Sequence, residues 1–326
     1  MQLRGKLLAR LADGRTHSGE ALGAALGISR MAVWKHLKAL RDSGIEIEAV
    51  RGRGYRLPVS CELLDRDRIL SYASAASRAL LGPVEVLLET DSTNTRLRGQ
   101  ALDGARSGSV CLAELQHRGR GRRGKCWVSP FAANLYLSLL WRSPLGAAAL
   151  GGLSLVAGIA VLRCLQAFGV SDAGLKWPND ILAGDAKLAG ILIDVAGESA
   201  GPCAVVIGVG INVAMRQATA QTIDQAWTDL YSLTGRQDIS RNRLAAGLLD
   251  SLLPALQTFE TGGLQPFMTD WQRHDLVSGR QVDLRLHDST VRGTARGIDA
   301  GGALLVDTDT GCRRFTSGEV SVRMTP

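Results

Sequence analysis

Between Arg142 and Arg163 the chain runs for 20 residues without a charged side chain. Most of them are apolar, and a stretch of that length must leave water, in a bilayer or in a core. Pro144 interrupts it near the start. Gly146, Gly151, Gly152 and Gly158 stand where a spanning helix would carry Leu or Ile. The reading is therefore a buried helix, about Ala147 to Phe168, inside a globular core with no membrane partner. The opening residues Met1 to Lys6 hold no apolar leader. Six cysteines, Cys61, Cys111, Cys126, Cys164, Cys203 and Cys312, lie too far apart for a C-x-x-C metal or redox pair. A reducing, cytoplasmic setting is expected.

A chain of 326 residues has room for two or three domains. Its charge is unevenly placed. The first 60 residues hold eleven basic and five acidic side chains, a net +6, whereas the other 266 hold 27 and 26, a net +1. A small basic unit on a near-neutral body calls for an anionic partner, usually nucleic acid, or is a solvated basic surface.

The pattern inside that unit favours nucleic acid. Leu3 to Leu11 places leucines at 3, 7, 8 and 11, one face of a helix. Ser18 can cap a second helix, Gly19 to Leu26, which Gly27 ends in a left-handed turn. Ser29 caps a third, running to about Asp42. Helix, short glycine turn, helix is the helix-turn-helix pattern. In the third helix Val33, Leu37 and Leu40 face inward, while Arg30, Trp34, Lys38 and Arg41 form the opposite stripe. An alternating strand, Ile45 to Val50, then a basic turn, Arg51-Gly52-Arg53-Gly54, and a return at Tyr55 to Leu57 read as a wing. DNA contacts are expected from Ser18, Ser29, Arg30, Trp34, Lys35, Lys38 and Arg41, and from Arg51 and Arg53 in the wing. Pro58 marks a boundary, giving a winged helix-turn-helix over residues 1–60.

Residues 61–276 alternate between the two periodicities. Strands are predicted at Val84–Leu88, Ser109–Leu115, Leu135–Leu140, Leu175–Trp177, Lys187–Asp194 and Ala204–Val209. Helices are predicted at Thr93–Leu102, Ala147–Phe168 and Arg241–Phe259. This describes an α/β domain around a mixed or antiparallel sheet. Residues 277–326 change character. Short strands at Arg280–Leu286, Ser289–Ile298, Ala303–Thr308, Arg313–Thr316 and Val320–Arg323, joined by Gly and Asp turns, predict a small β-barrel. The whole is an α+β multidomain chain.

His117 to Lys125 holds four arginines, a lysine and three glycines. Gly119-x-Gly121-x-x-Gly124 matches a dinucleotide fingerprint, but Trp127-Val128-Ser129-Pro130 follows where that motif needs a helix. The arginines point elsewhere. Like charges this dense repel, so the loop should stay spread and mobile until an anion gathers it. Guanidinium forks suit carboxylates and phosphates.

Four other segments join it. Asp91-Ser92-Thr93-Asn94 lies at a strand-to-helix junction. Lys176-Trp177-Pro178-Asn179-Asp180 ends a strand in a turn that presents a cation, an amide and a carboxylate. Lys187-Leu188-Ala189-Gly190-Ile191-Leu192 opens an apolar strand with a lone lysine, a position usually filled by a snorkelling surface residue. Gly208-Val209-Gly210-Ile211-Asn212 allows close backbone approach to a ligand.

Taken in order, the Asp-Ser-Thr-Asn, Gln-x-x-Gly-Arg-Gly-Arg-Arg-Gly, Lys-Trp-Pro-Asn-Asp, Lys-Leu-Ala-Gly-Ile-Leu and Gly-x-Gly-Ile-Asn segments resemble the biotin–protein ligase family. With the winged domain ahead of them, they resemble its bifunctional biotin operon repressor and ligase branch. The resemblance covers essentially the whole chain. It implies an SH3-like form for the C-terminal barrel. It implies two steps: biotin and ATP, with Mg²⁺, give biotinyl-5′-AMP, and a lysine of the biotin carboxyl carrier protein of acetyl-CoA carboxylase then takes the biotinyl group. Ser92, Thr93, Asn94 and Gln116 would hold the biotin ring. Arg120, Gly121 and Arg122 would close over the carboxylate and the adenylate phosphate. Lys187 would stabilise the developing charge. Arg123, Lys176, Asn179, Asn212 and Trp227 would line the nucleotide side, with Trp227 stacking on adenine. Asp180 would orient the incoming lysine or the metal, and no residue is assigned as a certain metal ligand. The adenylate would also be the co-repressor, driving a homodimer onto palindromic operator DNA. A lipoate or octanoate ligase, and a non-catalytic repressor sensing a small acid, are the competing readings. The intact Arg120, Arg122 and Lys187 speak against the second.

Overall fold

The structure, a computed structural model, describes residues 3–197, 201–215, 223–286, 289–317 and 321–324. Its N-terminal unit follows the capping signals closely. Helices α1 (Leu3–Leu11), α2 (Gly19–Leu26) and α3 (Arg30–Asp42) precede a hairpin of β1 (Glu48–Val50) and β2 (Gly54–Arg56). Ser18 and Ser29 accept hydrogen bonds from Ala21 N at 3.0 Å and Ala32 N at 3.2 Å. Gly27 ends α2 at φ 67°, where a residue with a side chain would be strained. Leu7, Leu8, Leu11, Leu22, Val33, Leu37 and Leu40 share one core, which continues onto Leu115 of the next unit. Leu63, Leu88 and Phe131 pack against it, so the winged unit rests on the rim of the central sheet.

The central unit runs through α4 (Arg66–Tyr72), α5 (Ala75–Leu80), β3 (Val84–Thr90), α6 (Thr93–Leu102), β4 (Val110–Gln116), β5 (Leu135–Ser143), α7 (Leu153–Ala167), β6 (Ala173–Lys176), β7 (Asp180–Ala183), β8 (Ala186–Gly197), β9 (Cys203–Ile211), α8 (Leu230–Thr234), α9 (Arg241–Gly262) and α10 (Met268–His274). Its sheet has seven strands in the order β3-β4-β5-β9-β8-β7-β6. Only the β3–β4 pair is parallel, so the expected mixed sheet is found. Helices α7 and α9 cover one face. On the other, Leu97 and Ala101 of α6 meet Cys111, Leu140, Ala204 and Val206.

The uncharged run divides differently from the prediction. A 3₁₀ turn at Ala147–Leu150 stops at Gly151, and α7 begins at Leu153. Gly152 sits at φ 82°, and a Cβ there would come within 2.9 Å of Leu264, so one continuous helix could not form. From Leu153 to Leu162 only Ser154 is not buried. No helix among the described residues is long and apolar enough to cross a membrane.

The last unit is an antiparallel sheet of β10 (Gln281–Arg285), β11 (Thr290–Ile298), β12 (Leu304–Thr308), β13 (Gly311–Phe315) and β14 (Ser321–Met324). Its order is β13-β12-β11-β10-β14, and among the described residues no pairing joins β13 to β14 to close a barrel. The predicted start of the fifth strand at Val320 lies outside the described residues. The sheet is tied to the central unit by Trp177 Nε1, which donates to Gly302 O at 3.0 Å.

A buried ion pair holds the segment between the first two units. Arg241, in the first turn of α9, meets Glu114 of β4 at 2.8 Å, and both side chains are 4% exposed. Glu114 also accepts from Leu64 N, and Arg241 donates to Glu62 O. Asn242 accepts from Asp65 N at 2.8 Å and donates to Leu63 O at 3.0 Å.

Candidate active site

The segments picked out by sequence converge at one end of the sheet. A buried polar network forms its first half. Thr93 N and Oγ1 both donate to Gln116 Oε1, at 2.9 and 3.1 Å. Gln116 Nε2 donates to Ser129 Oγ at 2.9 Å. Ser138 Oγ stands 2.7 Å from Thr93 Oγ1 and donates to Asn94 Oδ1 at 2.6 Å. Asn94 Nδ2 reaches Leu192 O at 3.3 Å and Asp194 Oδ2 at 3.2 Å. Ser92 caps α6 and, like Thr93 and Asn94, is at most 4% exposed. Gly208 has a direct reason here: a Cβ would fall 2.0 Å from Asn94 Oδ1.

Charge forms the second half. Lys187 Nζ is 2.6 Å from Asp180 Oδ1, and the two side chains are 15% and 19% exposed. This lysine is drawn inward and does not snorkel. The Lys176 ammonium, across the β6–β7 turn, is pushed below its ordinary pKa by burial and by its neighbours Lys187, Lys125 and Arg323, against the pull of Asp180. Asn179 donates to Ile191 O at 2.8 Å and accepts from Arg122 Nη1 at 3.2 Å. Burial lowers the Arg122 guanidinium pKa as well. Cations held out of water in this way lower their cost by taking an anion.

The arginine loop is folded, which corrects the expectation of a spread, mobile segment. Gly121 N donates to Lys125 O at 2.7 Å and Trp127 N to Gly119 O at 2.9 Å, so the loop doubles back on itself. Three of its four arginine side chains have found acceptors. Arg120 Nη1 donates to Asp194 Oδ2 at 2.8 Å, and Arg123 Nη1 to Arg285 O at 3.0 Å. Arg122 Nη2 donates to Ser317 O. Repulsion is offset by these oxygens, two of which belong to the C-terminal unit. At the loop's root, His117 Nε2 lies 3.1 Å from Glu89, and Glu89 is also 3.6 Å from Arg4 of α1.

Asn212, expected to line the nucleotide, donates to Lys187 O at 3.2 Å and to Thr228 O at 3.0 Å. Its amide thus fixes the backbone around Lys187. Trp227 pairs with Lys187 through a parallel backbone bridge.

Sequence reasoning missed Trp127, taken there only as a helix breaker. Lys187 Nζ lies 5.4 Å from its ring centroid. A Cβ on Gly210 would fall 2.5 Å from the ring, and one on Gly190 3.1 Å. Gly190 and Gly210 are register partners on β8 and β9, a pairing that signals a flat group laid across the sheet. Asp194, Ser129 and Ser138 were also missed.

On the winged unit, Arg30, Met31, Trp34, Lys35 and Lys38 are exposed along α3, and Arg51 and Arg53 at the hairpin turn. Arg41 is a correction to the predicted stripe. Its Nε donates to Ile47 O at 2.8 Å and its guanidinium lies over Tyr55 at 5.7 Å, which braces the wing.

Together, fold and site define a class: an acid-activating, carrier-modifying ligase domain joined to a helix-turn-helix. Residues 87–212 match the model of the biotin/lipoate A/B protein ligase family, residues 4–56 an HTH domain, and residues 277–323 the biotin protein ligase C-terminal domain. The chain is 45% identical over 317 residues to the bifunctional ligase/repressor BirA of Salmonella typhimurium, covering 97% of this chain and 96% of that protein. It is 43% identical to BirA of Escherichia coli, with 98% and 96% covered. Among solved structures, a biotin protein ligase from Aquifex aeolicus in complex with biotin and ATP aligns with a TM-score of 0.65 at 29% identity, over 75% of this chain and 100% of that one. The chain belongs to the family of bifunctional biotin–protein ligases and biotin operon repressors.

Proposed function

We propose that this chain makes biotinyl-5′-AMP from biotin and ATP, transfers the biotinyl group to a carrier lysine, and represses transcription in response to the adenylate. One observation carries the ligase reading: Lys187, paired with Asp180, Arg122, bonded to Asn179, and the buried Lys176 lie with the Ser-Thr-Asn-Gln network at the same sheet end.

In the first step a biotin carboxylate oxygen bonds to the α-phosphorus of ATP, and the bond from that phosphorus to the bridging oxygen breaks, releasing pyrophosphate. Two anions must meet, so catalysis is positioning and charge neutralisation. Ser92, Thr93, Asn94 and Gln116 orient the biotin ring over Trp127. Lys187, with Arg120, Gly121 and Arg122, faces the carboxylate and the α-phosphate. Arg123, Lys176, Asn179, Asn212 and Trp227 serve the nucleotide. Asp180 is the carboxylate beside them. That carboxylate would suit Mg²⁺, and the ion would supply neutralisation of negative charge on the nucleotide. In the second step a neutral carrier lysine attacks the acyl carbon, AMP leaves, and the lysine's proton passes to solvent.

The carrier is the biotin carboxyl carrier protein of acetyl-CoA carboxylase, and the DNA partner is a biotin operator. Repression takes place through an adenylate-bound homodimer with two winged units, one on each half-site. A cytoplasmic location follows from those partners. The functional units are residues 1–60, 61–276 and 277–326, the last curling at the β11 bulge between Ala295 and Ile298 into a small SH3-like barrel.

The decisive experiment incubates the protein with biotin, MgATP and a biotin carboxyl carrier domain, then weighs the intact carrier. A gain of one biotin that is lost with Lys187→Ala or Arg122→Ala supports the reading. A gain with lipoate in place of biotin, or no gain with either acid, overturns it.

A further inference from the structure

The outer face of α3 carries more than charge. Met31 is 71% exposed and Trp34 47% exposed. They stand at i and i+3, side by side on one face of the helix. Val33, Leu37 and Leu40 anchor α3 at 1% exposure or less, so the core does not need the exposed pair. Lys38 Nζ lies 5.6 Å from the Trp34 ring centroid, and Arg30 and Lys35 flank the pair. Two large apolar side chains therefore sit inside a cationic stripe, in the first half of the helix. Adjacent exposed apolar groups of this size mark a contact surface.

The surrounding charge selects an anionic partner, and the first half of such a helix meets base edges in a major groove. Most base edges there present hydrogen-bond donors and acceptors. The thymine C5-methyl is the apolar exception. We propose that Met31 and Trp34 read thymine methyl groups in the operator, while the flanking cations hold phosphates. Each half-site then carries thymine under this part of α3. Cytosine at those positions is rejected because it has no methyl to bury. The inference rests on the repressor reading above and names what that surface recognises.

Deoxyuridine differs from thymidine only by the missing methyl, which supplies the test. The full-length chain, with biotin and MgATP, selects from a random duplex library long enough for two half-sites. The enriched duplex is then remade with deoxyuridine at single positions. Affinities are compared at one fixed salt concentration, because phosphate contacts make them salt-dependent. The expected result is a loss of about fourfold for each methyl that had been buried, at one or two positions per half-site. The Met31→Ala/Trp34→Ala double variant should keep its helix content by circular dichroism and bind thymidine and deoxyuridine duplexes alike. Equal binding of both duplexes by the unmodified protein overturns the inference. So does a uracil effect that survives in the double variant, since that reports DNA shape. Failure to enrich any duplex overturns the repressor reading, and the inference with it.

Discussion

Arg120 of the glycine-rich loop and Asp194 of β8 meet at 2.8 Å across 74 residues of chain. Asp194 also accepts from Asn94, so the loop is pinned to the residue proposed to hold the biotin ring. The Arg120 side chain is 39% exposed, which limits this pair to below about 1 kcal/mol. Asp194→Ala should therefore loosen the loop modestly. Limited trypsin digestion should cut after Arg118, Arg120 or Arg122 about two- to fivefold faster than in the parent. An unchanged cutting rate would mean that the contacts of Arg122 and Arg123 hold the loop alone.

The pair of Lys187 and Asp180 has a different purpose. Removing a cation that faces developing charge typically costs about a hundred- to a thousandfold in rate. Lys187→Ala should lower biotin-dependent pyrophosphate release from ATP by that order. Asp180→Asn should lower it less, because the cation stays. Equal losses in the two variants would show that the pair acts as one structural unit.

Burial makes Glu114 and Arg241 a stability determinant. Arg241→Met leaves the carboxylate out of water without its cation, a change that costs about 3–5 kcal/mol. The first transition in urea should move to markedly lower concentration. Replacing both partners, Glu114→Gln with Arg241→Met, should recover most of the loss. A double variant as unstable as the single one would place the cost in the backbone bonds to Glu62 and Leu64 instead.

Burial pushes the thiols of Cys111 and Cys164 up to about 12 and that of Cys61 to about 11, from an ordinary value of 9.0. These groups stay neutral in the folded chain while the unfolded chain ionises first. Their contribution is complete below pH 9 and is lost as pH rises towards 12. Stability should fall over that window, and the fall should shrink in Cys111→Val. At pH 8 iodoacetamide should modify the exposed Cys126 and Cys312 and spare Cys61, Cys111 and Cys164 until the protein unfolds. Mass spectrometry of tryptic peptides reads the result.

How far the sequence could be read follows from where its signals are local. Ser18, Gly27 and Ser29 act on their own neighbours, and the helices they bound begin and end as predicted. Thr93–Leu102 was equally plain. Strand β7 was hidden because Pro178-Asn179-Asp180 reads as a turn and its four residues are too few to show alternation. The short polar helices α4 and α5 carry one buried anchor each, too little for a periodic pattern. In the site, Lys176, Asn179 and Lys187 were legible as unusual residues in apolar surroundings. Asp194 was not, because an acid near a strand end looks like any solvated residue until its partner 74 positions away is placed. Trp127 was missed for the same reason, since its meaning lies in the facing glycines of two other strands.

Glu89 stands between Arg4 of the winged unit and His117 at the root of the arginine loop. One carboxylate with two suitors divides its charge between them. Whatever moves His117 outward leaves more of that charge to α1, and a pull on α1 takes it back. At this exposure the exchange is worth only tenths of a kcal/mol. Even so, the winged unit and the arginine loop share one carboxylate, so the position of each is faintly registered in the other.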